Sequence, residues 1–94
     1  MRNGLTLSLL LGGAAMAEPV TIVALGDSLT AGYGLADPSQ GFVPQLEAWL
    51  KARGADVVVQ NAGVSGDTTA GGLARGGWAL GPEADAVIVT LGGN

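Results

Sequence analysis

Val20-Thr21-Ile22-Val23-Ala24-Leu25 runs without a charge straight into Gly26-Asp27. The run is short, continuous in its apolar character and cut off by a turn pair. An alternating pattern would mark a strand with one wet face. A continuous run of this length marks a strand covered on both faces, which is how parallel sheets look in sequence.

Downstream of this strand, a polar, glycine-punctuated loop reaches Gly41. Phe42, Val43, Leu46, Trp49 and Leu50 then recur at helical spacing, with Gln45, Glu47, Lys51 and Arg53 opposite. Pro44 fits if it lies in the first turn of that helix, and Gly54 is a natural stop. Trp49 is expected in the core. Asp56 to Gln60 reads as a second strand, β-branched through its middle. Residues 61–67 form a loop from which Asp67 or Thr68 caps a helix running to about Leu80. That helix has poor intrinsic propensity, since Gly71, Gly72, Gly76 and Gly77 each cost about 1 kcal/mol against alanine. Trp78 and Leu80 are expected to cover the sheet. Gly81-Pro82 ends the helix, and Ala86 to Leu91 reads as a third buried strand.

Strand, helix, strand, helix, strand is the order of a parallel α/β sheet with right-handed crossovers. Ligands of such sheets bind beyond the carboxyl ends of the strands. Residues 26–34, 61–67 and 92–94 all fall on that edge, and each segment carries glycines and small polar side chains.

Composition narrows the chemistry. The 94 residues hold four basic and eight acidic side chains, a net charge of −4, so no cationic stripe for nucleic acid is present. With no cysteine and no histidine, the sequence itself offers no disulfide, thiolate nucleophile or imidazole base. Residues 1–17 read as a signal peptide. Arg2 precedes an apolar run from Leu5 to Ala14, and Ala15-Met16-Ala17 places small residues where a signal peptidase cleaves. The run falls short of the roughly 20 residues that span a bilayer, so no stable membrane anchor is expected. Residues 18–94 are then the exported part, periplasmic or secreted.

In the first loop, Gly26-Asp27-Ser28-Leu29-Thr30-Ala31-Gly32-Tyr33-Gly34, a serine follows a buried strand directly. Thr30 occupies the place of the second glycine in a Gly-x-Ser-x-Gly elbow, so this is not that motif. Taken alone, Gly-Asp-Ser equally reads as a turn capped by Asp27 or Ser28, Gly66 as a left-handed turn residue, and Asn94 as a strand-end turn former. Together they form a set that acyl transfer requires. Ser28 would be the nucleophile, with the N–H groups of Ser28 and Gly66 and the amide of Asn94 as donors to a developing oxyanion.

Gly26-Asp27-Ser28-Leu29, then Asn61-Ala62-Gly63-Val64-Ser65-Gly66-Asp67-Thr68, then Leu91-Gly92-Gly93-Asn94 resembles the GDSL, or SGNH, hydrolase family. The likeness is to its bacterial branch of thioesterase I, lysophospholipase and arylesterase-like enzymes, and it covers residues 20–94. It implies a three-layer α/β/α sandwich of flavodoxin-like type, of which this chain supplies the N-terminal part of a single domain. It also implies that Ser28 is the nucleophile, that Ser28, Gly66 and Asn94 form the oxyanion hole, and that Asp27 supports the loop. The expected substrate is a small acyl or aryl ester or thioester, turned over by a monomer that needs no metal or organic cofactor. The family's Asp-x-x-His block has no counterpart here, so the sequence is expected to be part of a longer polypeptide and inactive alone. Two alternatives stay open: a flavodoxin-like phosphate-binding module, for which Ser28, Thr30 and Gly32 would form the cradle, and a carbohydrate O-acetyl esterase.

Overall fold

The computed structural model describes residues 18–94; the leader reading of residues 1–17 lies outside the described residues. Three strands, β1 (Val20–Gly26), β2 (Val57–Gly63) and β3 (Ala86–Thr90), form one parallel sheet in the order β2-β1-β3. The helices are α1 (Ser28–Ala31), α2 (Phe42–Ala52) and α3 (Thr69–Ala79), with a 3-10 turn at Pro38–Gln40. The chain steps to one side of β1 for β2 and to the other for β3. Right-handed crossovers in opposite directions put their helices on opposite faces, which yields three layers.

Side-chain parity along the strands agrees. Ile22, Ala24 and Val59 pack with Val43 and Leu46 of α2, while Val23 and Gln60 border a groove with Arg75 and Trp78 of α3. The central strand is therefore sealed on both faces: Val23 and Ala24 are each 1% exposed. This is the physical basis of the continuous apolar run, since alternation appears only where one face meets water.

Helix α2 starts behind Gly41 with Pro44 in its first turn, where a missing N–H costs nothing, and stops at Gly54, whose φ is +89°. Its inward stripe is narrower than the periodicity suggests. Val43 is buried and Leu46 and Leu50 are half-buried, whereas Phe42 and Trp49 lie on the outer flank. Trp49, expected in the core, is 53% exposed, and the Arg53 guanidinium stacks 3.6 Å from its ring centroid. Glu47, on the inward side, accepts a hydrogen bond from the Val59 N–H at 2.8 Å and pairs with Lys51 at 3.3 Å. Because β2 pairs only with β1 among the described residues, this carboxylate caps a donor on the outer edge of the sheet.

Strand β2 runs past the expected end at Gln60 to Gly63. Asn61, Ala62 and Gly63 pair with Ala24, Leu25 and Gly26, so the ladder overrides the poor strand preference of Asn and Gly. Helix α3 forms despite its glycines. The Thr68 hydroxyl accepts from the Gly71 N–H at 3.1 Å, and a Cβ at Gly72 would collide with Leu91, so that glycine permits the close approach of helix to sheet.

Two further expectations are corrected. β3 is not buried: Val87 and Val89 are 43% and 58% exposed. It has a neighbour on its β1 side alone among the described residues, and its Val89 looks onto an open cleft of about 570 Å³ with Leu25, Leu73, Leu80 and Leu91. Trp78 does not cover the sheet, because its ring is 77% exposed. Of Trp78 and Leu80, it is Leu80 that faces the cleft, half-buried.

Candidate active site

Three chain segments meet beyond the carboxyl ends of the strands. The first leaves β1 at Gly26 and turns at once into α1, a single helical turn beginning at Ser28. Asp27 is its N-cap: Oδ1 accepts from the Leu29 N–H at 3.0 Å, and the Asp27 carbonyl accepts from the Ala31 N–H at 2.9 Å. The sequence expectation of a loop through Gly41 is thus modified by this turn. Ser28 is its first residue, half-buried, and first-turn N–H groups have no acceptor within their own helix. Gly32, at φ +86°, closes the turn by donating to the Ser28 carbonyl at 3.0 Å.

The underside of this turn is held by Thr30 and Asn61, for which the sequence suggested no such bracing role. Thr30 is 3% exposed, and its hydroxyl bonds that of Thr90 at 2.7 Å, linking α1 to the end of β3. Asn61 donates its amide to the Thr30 carbonyl at 3.1 Å and accepts from the Gly63 N–H at 2.8 Å. Thr30 is therefore a buried brace. Tyr33 donates its N–H to the Ser28 carbonyl at 3.1 Å, but its ring is 78% exposed.

The second segment carries Gly66 at φ +83°, where a side chain would strain the backbone by about 1–2 kcal/mol. The Asp67 N–H closes this turn on the Val64 carbonyl at 3.0 Å. The N–H groups of Ser28 and Gly66 have no backbone acceptor among the described residues. In the third segment, Asn94 donates Nδ2 to the Asp67 carbonyl at 2.8 Å and stands 3.5 Å from Asp27 Oδ2. Asn94 is thereby fixed between the acid that precedes Ser28 and the residue that follows Gly66. Of the sequence-predicted set, Asn94 is thus in contact with Asp27 and with the residue after Gly66, and Ser28 directly follows Asp27 in the chain.

Arg75 was not singled out either. From α3 it reaches Asp67 Oδ2 with Nε at 2.7 Å and the Gly26 carbonyl with its terminal nitrogen at 3.0 Å. A signal was available: it is the sole charged residue of α3, in a run of small and apolar residues eight positions after Asp67. Among the described residues, no three His, Cys, Asp or Glu side chains group as metal ligands. Asp27, the carboxylate adjoining Ser28, is already engaged by Leu29 and faces Asn94, so it is arranged to hold the loop.

This chain is similar to several known proteins. The chain is 49% identical over 75 residues to an esterase of Pseudomonas aeruginosa called TesA, covering 79% of this chain and 37% of that protein. It is 42% identical over 93 residues to an arylesterase of Vibrio mimicus, covering 96% and 44%. Its structure superposes on that of AlinE4, described as an SGNH-hydrolase family esterase, with a TM-score of 0.77 at 48% identity, covering 84% of this chain and 43% of the other. The chain thus spans less than half the length of these relatives. The GDSL-like Lipase/Acylhydrolase family model matches residues 24–94, from the middle of β1 through Asn94, and the chain belongs to that family.

Proposed function

We propose that this chain supplies the nucleophile and oxyanion hole of a serine esterase. The observation that supports the reading is the placement of Asn94 against Asp67, which follows Gly66, and Asp27, which precedes Ser28. Ser28 Oγ attacks the carbonyl carbon of an ester or thioester and loses its proton to a base. The N–H groups of Ser28 and Gly66 and the amide of Asn94 take up the charge that develops on the carbonyl oxygen. The alcohol or thiol departs with a proton, leaving an acyl group on Ser28, and water then releases the acid.

The base comes from polypeptide outside these 94 residues. The chain has no histidine, and its relatives are more than twice as long as the part it matches. Acyl and aryl esters, lysophospholipids included, are the substrates we assign. The names of the two relatives, esterase and arylesterase, support that class. Residues 1–17 act as a cleaved leader, so the enzyme works in the periplasm or outside the cell, and we assign it as a monomer. The phosphate-cradle alternative finds no support, because the buried Asp27 carboxylate would stand beside the phosphate.

The test is Ser28→Ala in the full-length natural polypeptide, assayed with p-nitrophenyl acetate and p-nitrophenyl butyrate. Turnover should fall to background while the melting temperature stays within a few degrees. Activity retained by the folded variant refutes the assignment.

A further inference from the structure

The catalytic reading above uses three segments but does not say what keeps them in register. Ser28 follows β1, Gly66 follows β2, and Asn94 follows β3, so their backbones are ordered by different strands. A displacement of about 1 Å in such a set is enough to cost on the order of 100-fold in rate. Covalent continuity cannot supply that precision between segments. One side chain is placed to do it. Arg75 Nε holds Asp67 Oδ2 at 2.7 Å, and the other arm of the same guanidinium holds the Gly26 carbonyl at 3.0 Å. Gly26 is two residues before Ser28, and Asp67 is one residue after Gly66. Asp67 in turn offers its carbonyl to Asn94 at 2.8 Å. All three segments thus converge on one ion pair, whose side chains are only 14% and 11% exposed.

We propose that Arg75 is a positioning residue for the oxyanion hole: its guanidinium sets the Gly66 turn, and through Asp67 the amide of Asn94, against the Ser28 turn. The planar fork suits this task because its two arms donate in fixed directions to two acceptors at once. An ammonium on a flexible stem carries the charge but not the angle. A buried ion pair is weak evidence for net stability, since desolvation offsets much of the attraction. What this pair does secure is relative orientation.

The inference rests on the serine-esterase reading, and the experiment separates the two. Ser28→Ala, Arg75→Met and Arg75→Lys are made in the full-length natural polypeptide. Hydrolysis of p-nitrophenyl acetate is resolved into kcat and KM and corrected for the folded fraction measured by circular dichroism. With Ser28→Ala inactive, Arg75→Met is expected to lower kcat by at least tenfold with KM within about twofold, because the donors act mainly on the transition state. Arg75→Lys should recover part of that loss. If Arg75→Met does not fold, Arg75→Lys and Asp67→Asn carry the same test: a fall in kcat at constant KM supports the proposal. Unchanged kcat per folded molecule, or a loss confined to KM, overturns the role of Arg75 while leaving the esterase reading intact. An active Ser28→Ala overturns both.

Discussion

Replacing Asn94 with alanine separates the two jobs the structure gives this amide. Nδ2 carries two hydrogens. One is committed to the Asp67 carbonyl at 2.8 Å, whereas the contact to Asp27 Oδ2, at 3.5 Å, is at the outer limit of hydrogen bonding. The second hydrogen is therefore the one available to an oxyanion. Its removal should cost about 3 kcal/mol of transition-state stabilisation, or roughly 150-fold in kcat. The lost bond to Asp67 is solvent-accessible, so stability should fall by only about 1 kcal/mol. Asn94→Asp, nearly isosteric, should behave worse at neutral pH. It sets a carboxylate about 3.5 Å from that of Asp27, a repulsion on the order of 5 kcal/mol at an effective dielectric near 20, which screening at exposed Asn94 reduces to about 1–2 kcal/mol. The assay is kcat and KM for p-nitrophenyl acetate with the full-length polypeptide, alongside thermal melts at pH 7. A kcat within fivefold of the parent for folded Asn94→Ala would refute the oxyanion role. Equal melts for the alanine and aspartate variants at pH 7 would refute the placement of Asn94 beside Asp27.

Thr30→Val keeps the shape of a side chain that is 3% exposed but removes its bond to Thr90. A loss of about 1 kcal/mol in chemical denaturation is expected, with a larger proportional fall in esterase kcat than in stability; an unaltered denaturation midpoint would count against the brace. Glu47 should be a source of acid sensitivity. The Val59 N–H first, and then Lys51, hold its carboxyl below the ordinary value of 4.5. A lowered folded value means its contribution is fully present above about pH 4.5 and lost as pH falls through the lowered value. The melting-temperature gap between the parent and Glu47→Gln should accordingly be greatest near neutrality and close on acidification. A gap that widens in acid would have the wrong sign.

The α/β order and the carboxyl-edge location of the site were legible because both follow from local chemistry. A strand sealed on two faces must be apolar throughout, and a turn into a helix needs residues such as Asp27 and Gly66. Asp27, Ser28, Gly66 and Asn94 could be named from order and residue type alone. Their mutual distances could not, since these depend on a strand register that pairs Gly26 with both Gly63 and Thr90.

Where sequence reasoning went astray, a long-range partner had decided the matter. Periodicity placed Trp49 on the apolar stripe of α2 but could not tell which edge of that stripe the sheet would leave exposed. Strand preference ended β2 at Gln60, yet the backbone ladder with β1 carried it to Gly63. The apolar run of β3 reads as doubly buried, although burial belongs to the neighbours a strand has and not to its composition. Arg75 shows the same division most clearly. Its identity and its isolation among small residues are written in the chain, but its function as a link between Asp67 and Gly26 exists only once β1 and α3 lie side by side. A sequence specifies which groups can donate, accept or pack. Which of them meet is set by the balance of burial, hydrogen bonding and chain entropy over the whole fold, and only the tertiary structure expresses that balance.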